Sequence, residues 1–565
     1  MEDVTRVVKD VLKTVAPYLE DARVKVNGVC DQIEGWQIIA YTFGFTLILV
    51  SLYNFIFDEE KSLTFRIKRS FFKFVKRLPI IKDQIAKEID KNAKGVEEGF
   101  QKGVGKMKYI HKLPAKGLSE KKIMDELDRY HSLVKVDWSK GMVSGAVYNG
   151  EDNLTNVLVE AYRKFAWTNP LHPDLFPDIR KMEAEVVRMC CSMFNGDEKS
   201  CGSVTSGGTE SILLACLAYR NRARENGIKF PEIIVPVTAH AAFDKAAEFF
   251  HMKMTHIPVD PVTCKVDIRK MRRAINKNTC LLVGSAPQFP HGSIDPLEDI
   301  AALGKKYNIP VHTDCCLGGF LVPFMEKAGF SVPIVDFRVP GITSISADTH
   351  KYGFAPKGSS VILYSDKDYR KHQFFVQPDW PGGIYASPTL AGSRSGAVIA
   401  SCWAAMMYFG ESGYVETTKK IVTTTRYIAQ ELSKIKGIYV LGEPQVSVVS
   451  IASHDFNIFR LSDALADTGF SLNPLQFPSS IHLCCTLIHT HPGVADNFIK
   501  EVKKAVAEIM KDPKAKCGGI GAIYGMAQSI PDRSMVSEIA GLFLDACYST
   551  KDPEPEKNGK VNGKH

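Results

Sequence analysis

Residues 344–358 read Ser-Ile-Ser-Ala-Asp-Thr-His-Lys-Tyr-Gly-Phe-Ala-Pro-Lys-Gly. A short β-prone run over 342–347 ends in a polar turn that presents Lys351 behind His350, after which the chain bends through Gly353, Pro356 and Gly358. A lysine held at a strand end can lose its proton and attack a carbonyl, whereas an isolated turn lysine is ordinarily just solvated.

Two upstream stretches change that balance. Residues 308–314 read Asn-Ile-Pro-Val-His-Thr-Asp, a short apolar strand ending in the carboxylate of Asp314 and followed by small residues. Residues 201–211 read Cys-Gly-Ser-Val-Thr-Ser-Gly-Gly-Thr-Glu-Ser, and the run behind them is apolar at helical spacing (Ile212, Leu213, Cys216, Tyr219). A Gly-rich turn that opens a helix aims N–H groups and the positive dipole end at one point, which suits a phosphate. The hydroxyls there also serve as ordinary helix caps. Taken together, a phosphate cradle, a strand-end Asp and a strand-end Lys match the needs of pyridoxal phosphate.

Six motifs in order extend this match: 169–173 (Asn-Pro-Leu-His-Pro), 205–211 (Thr-Ser-Gly-Gly-Thr-Glu-Ser), 239–246 (Ala-His-Ala-Ala-Phe-Asp-Lys-Ala), 287–292 (Pro-Gln-Phe-Pro-His-Gly), 347–353 (Ala-Asp-Thr-His-Lys-Tyr-Gly) and 383–394 (Gly-Ile-Tyr-Ala-Ser-Pro-Thr-Leu-Ala-Gly-Ser-Arg). With them the chain, from about Tyr148 to Met526, resembles the group II decarboxylase family of pyridoxal-phosphate enzymes, of the aspartate-aminotransferase-like fold type I. In detail it is similar to the members that cleave phosphorylated sphingoid bases such as sphingosine 1-phosphate.

The resemblance implies pyridoxal 5'-phosphate as cofactor and a homodimer with its active site at the subunit interface. It implies Lys351 as the Schiff-base residue, Asp314 as the partner of the ring nitrogen, and His240 stacked on the ring. The cofactor phosphate would be held by Gly208, Thr209, His350 and Ser393, the last from the neighbouring subunit, with Arg394 beside it as a structural ion-pair partner. By matching position Tyr148, Asn169, His172, Lys357 and Tyr385 would bind the substrate. The implied reaction is an aldehyde-lyase cleavage of the Cα–Cβ bond that releases a long-chain aldehyde and phosphoethanolamine. An amino-acid decarboxylase of the same fold and an inactive membrane-tethered scaffold are the rival readings. Cys315 departs from the family, which usually has Ala after the Asp; no assigned role depends on it.

The rest of the chain frames this body. With 565 residues, 45% hydrophobic and 24% charged, the composition is globular and long enough for more than one core. The net charge of +8 comes without an Arg/Lys stripe interleaved with aromatics, so nucleic acid is not an expected partner. Residues 36–57 carry no formal charge, enough to cross a bilayer as a signal-anchor helix behind a segment 1–35. Lys61, Arg66, Lys68, Arg69, Lys73, Lys76 and Arg77 follow, so the positive-inside rule puts the N-terminus in the lumen of the endoplasmic reticulum and the body in the cytosol. Phe65, Phe71, Phe72 and Phe74 lie among those bases and suit a membrane surface.

A basic connector is expected over 58–118, polar and either helical or mobile from 85, with a cofactor-binding large domain over 119–400. A smaller domain over 401–550 and a disordered tail over 551–565 follow. In the large domain helical stretches alternate with β-rich runs at 232–238, 279–285, 309–314, 342–347 and 360–364, the pattern of a largely parallel sheet covered on both faces. The family fold makes this a mostly parallel α/β sheet of the seven-stranded type. Beyond 400 the expectation is a long helix over 415–434, strands near 445–452 and 481–488, and helices over 455–468 and 494–510. The 14 cysteines show no zinc-site spacing and no metal is expected; in a cytosolic body they read as buried small residues.

Overall fold

The computed structural model describes residues 33–57, 94–515, 517 and 534–552, with scattered positions between 16 and 31 and between 67 and 87. The seven basic residues expected to flank the membrane span, with Phe65 and Phe72, lie outside the described residues, as does the expected tail apart from Lys551 and Asp552.

The chain divides into two units, Met1–His111 with Ile530–His565, and Lys112–Ser529. In the first, the uncharged run forms a single helix, Gly35–Phe57, whose apolar window is not buried by other parts of the protein. Residues 94–104 are helical, and Phe100 packs against Phe543 of the helix Ser534–Cys547 with ring centroids 5.5 Å apart. The expected connector is thus partly a packed helix.

The second unit is built on a sheet of seven strands. These are β1 (Cys201–Thr205), β2 (Glu232–Pro236), β3 (Lys253–Ile257), β4 (Thr279–Ser285), β5 (Val311–Cys315), β6 (Ile342–Ala347) and β7 (Ser360–Tyr364), in the order β1-β7-β6-β5-β4-β2-β3. Every residue of β2, β4, β5, β6 and β7 is buried, as expected where helices cover both faces. Strands β3, β2, β4, β5 and β6 run parallel, while β7 runs against both β6 and β1. The carboxyl ends of β1, β5 and β6 therefore share one edge, the usual ligand side of an open α/β sheet.

The sequence reading places β2, β4, β5, β6 and β7 and does not find β1 or β3. Strand β1 is Gly/Ser-rich and reads as part of the turn that follows it; β3 is an edge strand whose half-exposed residues break the apolar run.

Further on, β8 (Phe375–Gln377) and β9 (Tyr385–Ser387) form a hairpin. Strands β10 (Tyr439–Leu441), β11 (Val448–Ala452), β12 (Asn473–Leu475) and β13 (Ser480–Cys484) make an antiparallel sheet ordered β10-β11-β13-β12, joined by helices Phe459–Asp467 and Val494–Ile509. The helix expected from Val415 begins at Gly396 and continues to Leu432, interrupted at Gly410, whose φ of 55° and ψ of −175° only glycine adopts without strain.

Candidate active site

The shared strand edge gathers a charged floor. Strand β6 ends at Ala347 and the turn after it sets Asp348, 3% exposed, beneath Lys351, whose Nζ lies 2.8 Å from Asp348 Oδ2. Burial works against the lysine's ammonium, but the Asp348 carboxylate, with Cys316 and Tyr148 behind it, outweighs that and holds the proton affinity above the usual lysine range. Lys351 is therefore held charged by its neighbour, where the sequence alone suggested an amine ready to lose its proton. His350 donates Nδ1–H to the Ser359 carbonyl, which leaves Nε2 facing Asp348 Oδ2 at 3.8 Å. Burial, partly offset by Asp348, lowers the basicity of His350.

The turn after β1 closes over this floor. A Cβ on Gly208 would meet Asp348 Oδ1 at 2.7 Å and Cys316 Sγ at 2.8 Å, so backbone alone fits there. Helix Gly208–Glu225 starts at that glycine, and its first N–H groups, having no partners within the helix, point off its end. Glu210 in its first turn accepts from the N–H and hydroxyl of Ser206, both at 2.7 Å, and from Leu390 N–H at 3.0 Å, which ties the turn to the 390 segment. Ser206 is thereby taken up by Glu210.

Asp314, the last residue but one of β5, is buried and accepts from Cys316 N–H at 3.0 Å and from the Ser346 hydroxyl at 3.3 Å. Behind it His312, with Ser344 at 2.8 Å and Ser346 at 3.1 Å from its two ring nitrogens, is driven by burial to a pKa of about 4 and stays neutral. Burial likewise raises the Cys316 thiol well above its ordinary value, so it packs and is not a nucleophile.

These residues fit pyridoxal phosphate. A helix start and His350 can make a phosphate cradle, a buried and supported carboxylate can face a ring nitrogen, and Lys351 is an amine for the Schiff base. Asp348 Oδ1, beside Gly208, is buried without a hydrogen-bond partner, an acceptor open to a donor rather than to the phosphate.

A second lysine reaches the same place from the rim. Lys357 folds back over the turn, its Nζ 4.7 Å from the centroid of the Tyr148 ring, and that ring packs edge-on against Tyr352 at 4.9 Å. Tyr352 in turn donates to the Cys485 carbonyl, which anchors the pair to the end of β13. Partial burial first, and the nearby Lys351 second, lower the proton affinity of Lys357. Burial raises that of the Tyr148 hydroxyl, which stays protonated.

The other sequence-derived residues form a separate group. Asn169 Nδ2 donates to Ser393 Oγ at 3.0 Å, and its Oδ1 accepts from Leu171 N–H and from Arg394 N–H. Exposed His172 is linked to Asn169 through the backbone. Arg394 forms a forked ion pair with Glu183. Tyr385 packs between Phe375 and Trp380, and its hydroxyl fills the space beside Gly392. His240 is exposed at the end of β2, its Nδ1 accepting from Ala242 N–H at 3.1 Å. Among the described residues no hydrogen bond or ion pair ties Asn169, His172, Ser393, Tyr385 or His240 to Lys351.

The sequence reading gave no role to Asp348, Ser346, Cys316 or His312. Asp348 had a legible signal, an acid three residues before Lys351 in one turn; Ser346, His312 and Cys316 are near Asp314 or Lys351 in the chain, but their bonds to one another across β5 and β6 leave no local trace.

Comparisons with known proteins give the family. A profile described as the pyridoxal-dependent decarboxylase conserved domain matches residues 108–453. The chain is 53% identical over 560 residues to sphingosine-1-phosphate lyase 1 of Rattus norvegicus, covering 98% of both chains. It is 53% identical over 526 residues to the sphingosine-1-phosphate lyase of Drosophila melanogaster, covering 93% of this chain and 96% of that one. Among solved structures, the sphingosine-1-phosphate lyase of Burkholderia pseudomallei superposes with a TM-score of 0.71 at 38% identity, over 77% of this chain and 97% of its own.

Proposed function

We infer the function from a chain that belongs to the pyridoxal-dependent decarboxylase family and, within it, to the sphingosine-1-phosphate lyases. It is a carbon–carbon lyase dependent on pyridoxal 5'-phosphate. It cleaves the Cα–Cβ bond of phosphorylated sphingoid bases, giving a long-chain aldehyde and phosphoethanolamine. The observation that carries this reading is the pairing of Lys351 on buried Asp348 with a second, rim lysine, Lys357, held over Tyr148.

When bound through Lys351, the cofactor supplies an electron sink for the pair released from the broken bond. Gly208, Thr209 and His350 hold its phosphate, and Asp314 keeps a proton on its ring nitrogen. Ser393 adds a phosphate contact and His240 a ring contact. Lys357 and the Tyr148 hydroxyl offer a cation and a donor to the substrate phosphate, with Asn169, His172 and Tyr385 completing that subsite. Each charge-assisted bond contributes about 1.5–3 kcal/mol. Once freed, Lys351 takes the proton from the C3 hydroxyl and returns one to the carbon that becomes phosphoethanolamine, with Asp348 fixing where its Nζ sits between the two transfers.

Asn169 and Ser393 bond to one another and to nothing on the Lys351 floor of their own chain, which supports a homodimer in which they serve the neighbouring site. The apolar helix Gly35–Phe57 fits a membrane-anchored enzyme. We place it as a single pass in the endoplasmic reticulum, N-terminus lumenal and body cytosolic, on the basic flank of the sequence. A substrate that gains about 0.8 kcal/mol per buried CH2 stays in the bilayer, where an anchored enzyme meets it at high local concentration.

The test is the full-length protein in detergent, given dihydrosphingosine 1-phosphate, with aldehyde, phosphoethanolamine and CO2 assayed beside Lys351→Ala. Aldehyde and phosphoethanolamine in equal amounts, absent from the variant, are expected. CO2 without aldehyde would overturn the reading.

A further inference from the structure

Outside the lysine site the structure holds a cavity of about 380 Å³ along strand β1, between helix Pro177–Met193 and the segment that carries Arg370. Three of its lining residues are arginines: Arg180 and Arg188 from that helix, and Arg370 from the segment beyond β7. The one carboxylate among its lining residues is Glu183, already neutralised by Arg394. The excess positive charge therefore has no counter-charge within the cavity.

Each arginine has a different occupation. Arg188 donates to the carbonyls of Asp197 and Ser200, at 3.1 and 3.3 Å, and Arg370 donates to the Gly202 carbonyl at 3.2 Å and lies over the Phe374 ring. Both keep guanidinium donors to spare, since each carries five. The Nε–H of Arg370 is buried with no hydrogen-bond partner and closed off from the cavity, so a ligand there draws on the terminal guanidinium N–H groups. Arg180 is exposed, and among the described residues its side chain has no partner at all. Planar guanidinium forks match phosphate geometry.

We propose that this cavity is a binding site for a phosphate-bearing dianion, separate from the substrate-phosphate subsite of Lys357. The volume exceeds what inorganic phosphate needs, and Ala184, Val187, Phe374 and Pro388 line the remainder, so a small phosphomonoester also fits. Occupancy reaches, by a short path, the Asn169–Ser393 pair, which on the function proposed above serves the neighbouring subunit's site. Glu183 lines the cavity and holds Arg394, whose N–H bonds Asn169 Oδ1, and Asn169 bonds Ser393. A dianion drawing on this arginine set shifts the Asn169–Ser393 pair and, through it, the KM for substrate.

Equilibrium dialysis of the full-length, cofactor-loaded enzyme against inorganic phosphate, and separately against phosphoethanolamine, tests the site. Two sites per chain are expected for at least one probe. Lys357→Gln removes one and the double variant Arg188→Gln/Arg370→Gln removes the other. The two affinities tell free phosphate from a phosphomonoester. Because Arg188 and Arg370 also cap backbone carbonyls, Arg180→Gln provides a variant that disturbs no packing. It weakens the second site about tenfold or more while the Lys357-dependent site keeps its affinity. A single site per chain abolished by Lys357→Gln, or a second site indifferent to Arg180→Gln, overturns the proposal.

Discussion

Lys351 and Lys357 stand six residues apart in one turn and are set in opposite ways. The inner lysine has a buried carboxylate 2.8 Å away and is held charged; the outer one has an aromatic face and a like charge for neighbours and is pushed toward its neutral form. The difference lies in partners rather than in depth alone, since burial disfavours the ammonium of both. One turn thus provides a lysine whose position is fixed before any ligand arrives, and another that becomes better satisfied when a dianion comes to rest on it.

The largest test of this contrast is deletion of each amine. Lys351→Ala is expected to cut turnover on the order of 10^4-fold or more and to abolish the absorbance of covalently held cofactor, with substrate binding retained. If Lys357→Ala did the same, the two lysines would not have separate roles.

Next comes the carboxylate that distinguishes them. Asp348→Asn leaves the Lys351 ammonium buried without its counter-charge, which is expected to cost the cofactor-free protein about 3 kcal/mol, read by denaturant unfolding. The sign with pH follows from the raised proton affinity of Lys351. The stabilisation is fully present below the unfolded lysine value of about 10.4 and is lost only as pH climbs past it. The wild-type contribution should therefore be flat from pH 6 to 9, while the variant, whose unpaired Lys351 sheds its proton, recovers part of its loss as pH rises; a wild-type contribution that falls within that window would mean Lys351 is not held charged.

Smaller is the effect at the rim. Lys357→Gln is expected to raise KM for the phosphorylated substrate roughly 10- to 100-fold with kcat much less changed, the signature of lost ground-state and transition-state binding alike. A fall in kcat with KM intact would move Lys357 into the chemistry. The mildest test is amine labelling of the cofactor-free protein at pH 8, followed by mass spectrometry. Lys357 should label several-fold faster than ordinary surface lysines and Lys351 hardly at all, until Asp348→Asn exposes it to reagent.

Much of this was legible in the chain. Strands β4, β6 and β7 fall where their apolar runs begin and end, and the turn 205–209 and the triplet Asp348-Thr349-His350 before Lys351 are local, so sequence order alone puts their chemistry together. Strand β1 was hidden because glycine and serine make a poor strand signal on their own; it is held by its register with β7. The split of the site residues was foreseen only for Ser393, which the resemblance gives to the neighbouring subunit; nothing in the spacing of Asn169 says that it bonds Ser393 rather than the lysine floor.

The sequence by itself determined the family, the apolar helix and the alternation that makes an open α/β sheet, because each depends on residues close together in the chain. Only the tertiary structure decided which charge neutralises which. Asp348 under Lys351, the Ser346 and Cys316 support of Asp314, the return of Lys357 over Tyr148 and the arginines gathered along β1 all arise where separate strands and helices meet. Electrostatic interaction depends on distance and burial, and folding sets both between residues that the chain keeps far apart.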